Sequence, residues 1–278
     1  MPDRPAVIYR YDGSFDGLLC CVFESYARRE TPLDIRPADD PQAVLFPTYE
    51  VPTDADHAQR VFASLQKRIS SEAQRQVQYA FLSCADDKAL LIYRFIRLGL
   101  RHGAQVMSML TNDTVCSVDK AVRSLLNERH HLLEFLRFSD FKGVLAATIE
   151  PKNFVLPLMQ EHFCSRFPEE RFLIYDKAHG MALIYRPYSA QILSIEQLEL
   201  PGADECELGY RRLWKQYYNS IAIEARYNPR CRMGHMPKRF WGHMTEFEQG
   251  QRHLLHTAAG QVLPASETTD LSSPTRIK

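Results

Sequence analysis

Residues 135–200 read FLRFSDFKGVLAATIEPKNFVLPLMQEHFCSRFPEERFLIYDKAHGMALIYRPYSAQILSIEQLEL, and their hydrophobic pattern decides the predicted fold. The pattern changes to a period of two in five short segments, which predicts strands. These segments are 135–140, 143–151, 171–176, 181–188 and 190–200. Residues 154–168, between the second and third segments, have the pattern of a helix. This order predicts an α+β fold: an antiparallel sheet of about five short strands with a covering helix.

The first 53 residues are predicted to hold one strand, one helix and a loop. The strand covers residues 6–10, and the helix that follows can be capped by Ser14 or by Asp16. Residues 30–53 are rich in proline and show little periodicity, which predicts a mostly irregular, ordered loop.

Residues 54–103 have helical periodicity, so the N-terminal region is predicted to be mainly helical. Arg94, Arg97 and Arg101 are spaced i, i+3, i+7 and share one helical face. They are either a second phosphate-contacting surface or a solvated helix face, and the pattern alone favours the solvated face. Ser117 is the predicted N-cap of the next helix.

A basic, aromatic helix is predicted near the C-terminus. Trp214, Tyr217 and Ile221 fall on one helical arc, which predicts a core-facing surface. Asn228-Pro229 is predicted to end this helix, because proline cannot continue it and disfavours the helical conformation of the residue before it.

Positive charge is concentrated in the same part of the chain. Eight Lys and Arg lie between Arg211 and Arg239 against one acid, Glu224, although the whole chain has 34 basic and 34 acidic residues. Such a segment beside aromatic residues predicts a localised polyanion site, with cations on phosphates and rings on bases. The candidate DNA contacts are Arg211, Lys215, Arg226, Arg230, Arg232, Lys238 and Arg239, with Phe240 or Trp241 stacking on a base.

The cysteine pattern and the apolar runs predict a cytoplasmic protein without a metal site. The seven cysteines are odd in number and include no C-x-x-C pair, which favours free thiols in a reducing compartment. The N-terminus lacks the apolar run of a signal peptide. The most apolar run, residues 89–100, is too short to span a bilayer and contains two arginines. No known cofactor-binding motif is present, so we expect no cofactor and no membrane association.

Four segments resemble a bacterial family of "probable DNA metabolism proteins", which carries a domain of unknown function. They are YDGSFDGLLCCVFESY (11–26), ERHHLLEFLRF (128–138), IEPKNFVLPLMQEHFCSRFPEERFLIYD (149–176) and WKQYYNSIAIEARYNPRCRMGHMPKRFWGHMTE (214–246). The resemblance covers about residues 6–246. The chain departs from the family pattern at His131, Glu134 and Phe240, where members commonly have arginine, glycine and tyrosine.

The resemblance implies an association with DNA repair or modification. Family members resemble a domain that is fused to uracil-DNA-glycosylase-like domains or encoded beside a radical S-adenosylmethionine protein. We therefore expect a DNA-binding accessory protein that works with a radical S-adenosylmethionine enzyme. The expected organisation is one domain over residues 1–246, followed by a largely disordered tail over 247–278. Its parts are a helical part (1–134), a sheet part (135–200) and a basic helical part (207–246).

Two alternative functions remain open at the level of the sequence. The protein could be an enzyme that acts directly on damaged DNA. In that case the candidate catalytic residues are those that the resemblance places inside family motifs: Glu128, His130, His162 and Asp176. No nucleophile–base spacing supports this alternative. The other alternative is a docking module whose basic face binds an acidic protein surface without contacting DNA.

Overall fold

The computed structural model describes residues 7–41 and 45–247, and the chain divides into two compact units. The units are Met1–Asp204 and Glu205–Lys278, so the division falls between the predicted sheet part and the predicted basic part. The tail is predicted over residues 247–278, and all of it after residue 247 lies outside the described residues. Both units contain helices and the first contains two sheets, which confirms the α+β prediction. Within the described ranges, no helix has the length and apolar character needed to cross a membrane.

The N-terminal unit begins with a small parallel sheet. Strand β1 (Ile8–Tyr11) lies between β2 (Asp34–Pro37) and β3 (Thr48–Glu50), and helix α1 (Phe15–Ala27) connects β1 to β2. The prediction of a loop over residues 30–53 is therefore wrong for β2 and β3. Each is too short to show a clear period, and its backbone hydrogen-bond partners come from β1.

The turn before α1 explains the sequence YDGSFDG. Ser14 caps the helix, since its Oγ accepts a hydrogen bond from Gly17 N at 2.9 Å. Asp12 accepts hydrogen bonds from Ser14 Oγ (2.6 Å), Ser14 N (2.9 Å) and Thr53 Oγ1 (2.9 Å). Burial alone would raise the pKa of Asp12, but these hydrogen bonds outweigh burial and lower the pKa below its ordinary value. A Cβ on Gly17 would lie 2.2 Å from Asp12 Oδ1, so this close approach requires glycine.

Four longer helices form most of the remaining N-terminal core. They are α2 (Ala55–Arg68), α3 (Ser71–Leu82), α4 (Lys88–His102) and α5 (Asp113–Phe135), with a 3-10 helix at Gly103–Ser108. Their apolar faces enclose fully buried side chains, including Leu18, Leu65, Ile92 and Phe95. The helical periodicity of this region is thus explained by burial of one face of each helix.

Helix α5 begins earlier than the sequence predicts. Its N-cap is Asn112, whose Oδ1 accepts hydrogen bonds from Thr114 N (3.0 Å) and Val115 N (3.4 Å). The prediction that Ser117 caps this helix is wrong, because Ser117 is an exposed residue inside the helix. The buried side chain of Val115 extends the apolar face by one turn and makes the earlier start favourable.

The second sheet contains the five strands predicted from residues 135–200. They are β4 (Ser139–Asp140), β5 (Leu145–Ile149), β6 (Phe172–Asp176), β7 (Met181–Arg186) and β8 (Ser189–Ser194), and they lie in that order. β5 and β6 pair in parallel and the other pairs are antiparallel, so the sheet is mixed. The prediction of a fully antiparallel sheet is wrong at this pair. Helix α6 (Leu156–Arg166) is the reason, since a parallel pair requires such a crossover connection.

The C-terminal unit contains shorter helices than predicted. Its first helix, α7 (Glu205–Ser220), ends before Asn228, so the predicted helix end is wrong. Asn228 instead caps α8 (Pro229–His235) by accepting a hydrogen bond from Cys231 N at 3.0 Å, with proline at the first helical position. The described part of this unit also contains two 3-10 helices, Glu224–Arg226 and Lys238–His243.

The predicted core-facing residues of α7, and Ile221 directly after it, are exposed. Trp214 is 38% exposed, Tyr217 54% and Ile221 57%. The prediction that these three side chains form a buried core face is therefore wrong.

Candidate functional site

Arg232 lies among aromatic rings in the C-terminal unit. Its Cζ is 5.1 Å from the ring centroid of Trp241, 5.6 Å from that of Phe247 and 5.9 Å from that of Tyr227. Lys238 Nζ is 5.9 Å from the same Trp241 ring. We call these five residues the Arg232 cluster. It places two cations beside one tryptophan, at distances typical of cation–π contacts.

The two aromatic residues predicted to stack on a base differ in accessibility. Phe240 is buried, and the guanidinium of Arg239 lies 4.5 Å from its ring centroid. Trp241 is half-buried: it stacks on Phe247 at 4.5 Å, and its Nε1 donates a hydrogen bond to Met236 O at 3.1 Å. Phe240 therefore offers no open ring face in this conformation. Trp241 remains the predicted residue for stacking on a base, and its contacts with Phe247 and Met236 fix its orientation.

The predicted phosphate contacts lie on several elements of the unit. On α7, Arg211 Nε pairs with Glu207 Oε1 at 2.9 Å and Lys215 is half-buried. The exposed members of the set come from later elements: Arg226, Arg230, Lys238 and Arg239. Arg232 Nε is buried without a hydrogen-bond partner among the described residues, since rings surround its guanidinium. Arg232 thus organises the aromatic residues while the four exposed cations face solvent.

Glu128, the first catalytic candidate, joins three segments of the N-terminal unit. It is 1% exposed, and its carboxylate accepts hydrogen bonds from Lys152 N (3.0 Å), Asn153 N (2.7 Å) and Asn153 Nδ2 (2.6 Å). Asn153 Oδ1 in turn accepts a hydrogen bond from Cys84 N at 3.0 Å. Glu128 therefore connects α5 to the β5–α6 loop and, through Asn153, to the α3–α4 loop.

The two histidine candidates lie on helix surfaces. His130 Nε2 is 3.2 Å from Glu134 Oε1, one turn further along α5, and its side chain is 70% exposed. His162 is exposed on α6, and its ring meets that of Phe163 edge-on at 5.0 Å. A general base commonly lies in an enclosed site beside a carboxylate. His130 has a carboxylate neighbour but is exposed, and His162 is exposed as well.

Asp176, the fourth catalytic candidate, is fully buried at the end of β6. Its Oδ1 accepts hydrogen bonds from Ala178 N (3.1 Å) and His179 N (3.2 Å), and its Oδ2 lies 2.7 Å from His179 Nδ1. His179 is not among the residues predicted from the sequence, although an aspartate between two predicted strands is typical of a turn. This pair closes the β6–β7 turn. Among the described residues, no group of three or more His, Cys, Asp and Glu side chains could hold a metal ion.

Comparison with known proteins identifies the family. The family described as Domain of unknown function (DUF4130) matches residues 86–246, more than half of the chain. The chain belongs to this family. The matched residues run from the start of α4 to the end of the basic segment, so they include Glu128 and every residue of the Arg232 cluster except Phe247. No curated protein matches the chain. No solved structure matches it either.

Proposed function

We propose that this protein binds DNA through its C-terminal unit and acts as an accessory protein in DNA repair or modification. The observation that carries the proposal is a set of four exposed cations in the unit that holds a fixed tryptophan, with one of the four against its ring. Arg226, Arg230, Lys238 and Arg239 are exposed, and Lys238 lies against the ring of Trp241. Cations that neutralise phosphates and rings that stack on bases are the two components of sequence-tolerant nucleic-acid binding.

The proposal includes a partner enzyme of the radical S-adenosylmethionine class. Its support is the resemblance of four segments to the DNA metabolism family, which implies an association with such an enzyme. The geometry of Glu128, His130, His162 and Asp176 agrees with an accessory role, because each has a local structural partner or lies on an open helix surface. In this proposal the protein presents DNA, and the partner carries out the chemistry.

The first experiment compares the affinity of three proteins for a labelled duplex of about 20 base pairs. The test variant replaces Arg226, Arg230, Lys238 and Arg239 with alanine. The control variant replaces Arg75 and Lys120, two exposed cations of α3 and α5. We expect the test variant to bind about tenfold or more weakly at low salt, because phosphate contacts dominate DNA affinity. The control should bind as the unaltered protein does.

Two other outcomes would contradict the proposal. Co-purification with a partner protein after nuclease treatment, with no affinity for any oligonucleotide, would assign the exposed cations to protein docking. Turnover of a damaged-base oligonucleotide by the purified protein alone, lost on His162→Ala, would make the protein an enzyme.

A further inference from the structure

A cleft of about 790 Å³ lies in the N-terminal unit, well separated in sequence from the basic segment. It is bounded by α4, the C-terminal ends of α1 and α2, and residues 30–33. Its volume falls within the range of small-ligand sites. The residues that matter for its chemistry are Arg68, Arg94, Arg97, Arg101, Tyr26 and Tyr93.

The cleft is strongly basic. Four arginines line it, and the carboxylate that also lines it, Glu30, already pairs with Arg28. Within the described part of the chain, none of these four arginines forms an ion pair with a carboxylate. Three of them lie on one face of α4, where like charges at this spacing repel each other. A bound anion would relieve this repulsion. On a convex, solvated helix face, water alone would screen the like charges.

One arginine of the cleft is held in position. Arg97 Nη1 donates hydrogen bonds to Thr31 Oγ1 at 2.6 Å and to Tyr93 OH at 2.8 Å. Its Cζ is 5.7 Å from the ring centroid of Tyr26 and 5.6 Å from that of Tyr93. The guanidinium is therefore fixed between two rings before any ligand arrives, which reduces the entropy cost of binding.

Tyr26 also borders a second cavity of about 450 Å³, and Arg68 lines both cavities. This second cavity adds Arg60, whose guanidinium lies 5.2 Å from the ring centroid of Phe23. Tyr26 is 50% exposed, so its ring is accessible between the two arginine-lined spaces. An accessible ring that borders two arginine-lined cavities matches the sugar–phosphate and base pattern of a nucleotide.

We propose that this cleft binds nucleotides, with Arg68, Arg94, Arg97 and Arg101 contacting phosphate and Tyr26 stacking on an unpaired base. The ligand is either a free nucleotide or the nucleotides of a single strand, since both present the same chemistry. A base inside a duplex is already stacked between its neighbours and cannot stack on the Tyr26 ring. The inference does not depend on the function proposed for the C-terminal unit.

The test uses the full chain and two probes, dTMP and a labelled thymidine single strand of about 12 nucleotides. Tyr26→Ala should weaken binding by about tenfold or more through lost stacking. Tyr26→Phe keeps an aromatic ring and should bind as the unaltered protein does. The double variant Arg94→Ala, Arg101→Ala should have a smaller slope of log K against log [salt] for the single strand, by about 0.7 per arginine. Arg97 is left intact, because its hydrogen bonds also tie α4 to Thr31.

The matched control is again Arg75→Ala with Lys120→Ala, and thermal unfolding confirms that every variant folds. Loss of dTMP binding in the cleft variants identifies a free-nucleotide site, whereas loss of strand binding alone identifies a single-strand site. The inference is overturned if neither probe binds, or if the cleft variants bind both probes as the control does. The variant lacking Arg226, Arg230, Lys238 and Arg239 separates the two proposals: it should retain cleft binding even if it loses duplex binding.

Discussion

Glu128 shows, at the scale of single residues, how a candidate catalytic carboxylate can also connect distant segments of the fold. It lies in the segment 128–138, and its hydrogen-bond partner Asn153 lies in the segment 149–176, both of which resemble family motifs. The carboxylate is buried and its oxygens accept three hydrogen bonds from this one neighbouring loop. The sequence could predict that Glu128 matters, but its partner lies 25 residues away and only the folded chain identifies it.

Glu128→Gln should destabilise the protein by about 2 kcal/mol. Glutamine has the same shape, but it loses the charge and can direct an N–H group at the N–H donors of Lys152 and Asn153. Glu134→Gln, at an exposed site on the same helix, should change stability by no more than about 0.5 kcal/mol. Urea unfolding of both variants measures the difference. Equal stabilities would contradict the structural role of Glu128.

Secondary-structure elements were predictable where the signal is local. β6 and β7 are short apolar segments that are neighbours in sequence and pair with each other, and the prediction places both correctly. The parallel pairing of β5 with β6 depends on the path of the chain through α6, and strand alternation carries no information about that path. β2 and β3 escaped prediction because they are three or four residues long and rely on β1 for partners.

The start of α5 is a direct test at this scale. Asn112→Ala removes the side chain that caps the first turn and should cost about 1 kcal/mol of stability. A cap at Ser117, as the sequence predicts, implies an equal loss of stability for Ser117→Ala. The structure instead predicts that this change is neutral or slightly stabilising, because alanine favours the helix interior. Chemical denaturation of the two variants in parallel measures this contrast. A larger loss for Ser117→Ala would place the cap at residue 117.

The candidate binding surfaces were predictable to different degrees at the scale of the whole molecule. The positive charge of the basic segment could be predicted from the sequence, because its residues are close together in the chain. The arginine cleft was not, since Arg68 and Tyr26 reach Arg94, Arg97 and Arg101 only in the folded chain. The sequence shows the spacing of those three arginines, but a cleft and a solvated face give the same helical pattern.

The most direct measurement of the central claim is the salt dependence of duplex DNA binding by the full chain. Three to five phosphate contacts predict a slope of about −3 to −4.5 for log K against log [salt]. Replacing Arg226, Arg230, Lys238 and Arg239 with alanine should reduce the slope by about 0.9 for each lost contact. A slope near zero for the full chain, or the same slope in the variant, would contradict DNA binding by the C-terminal unit.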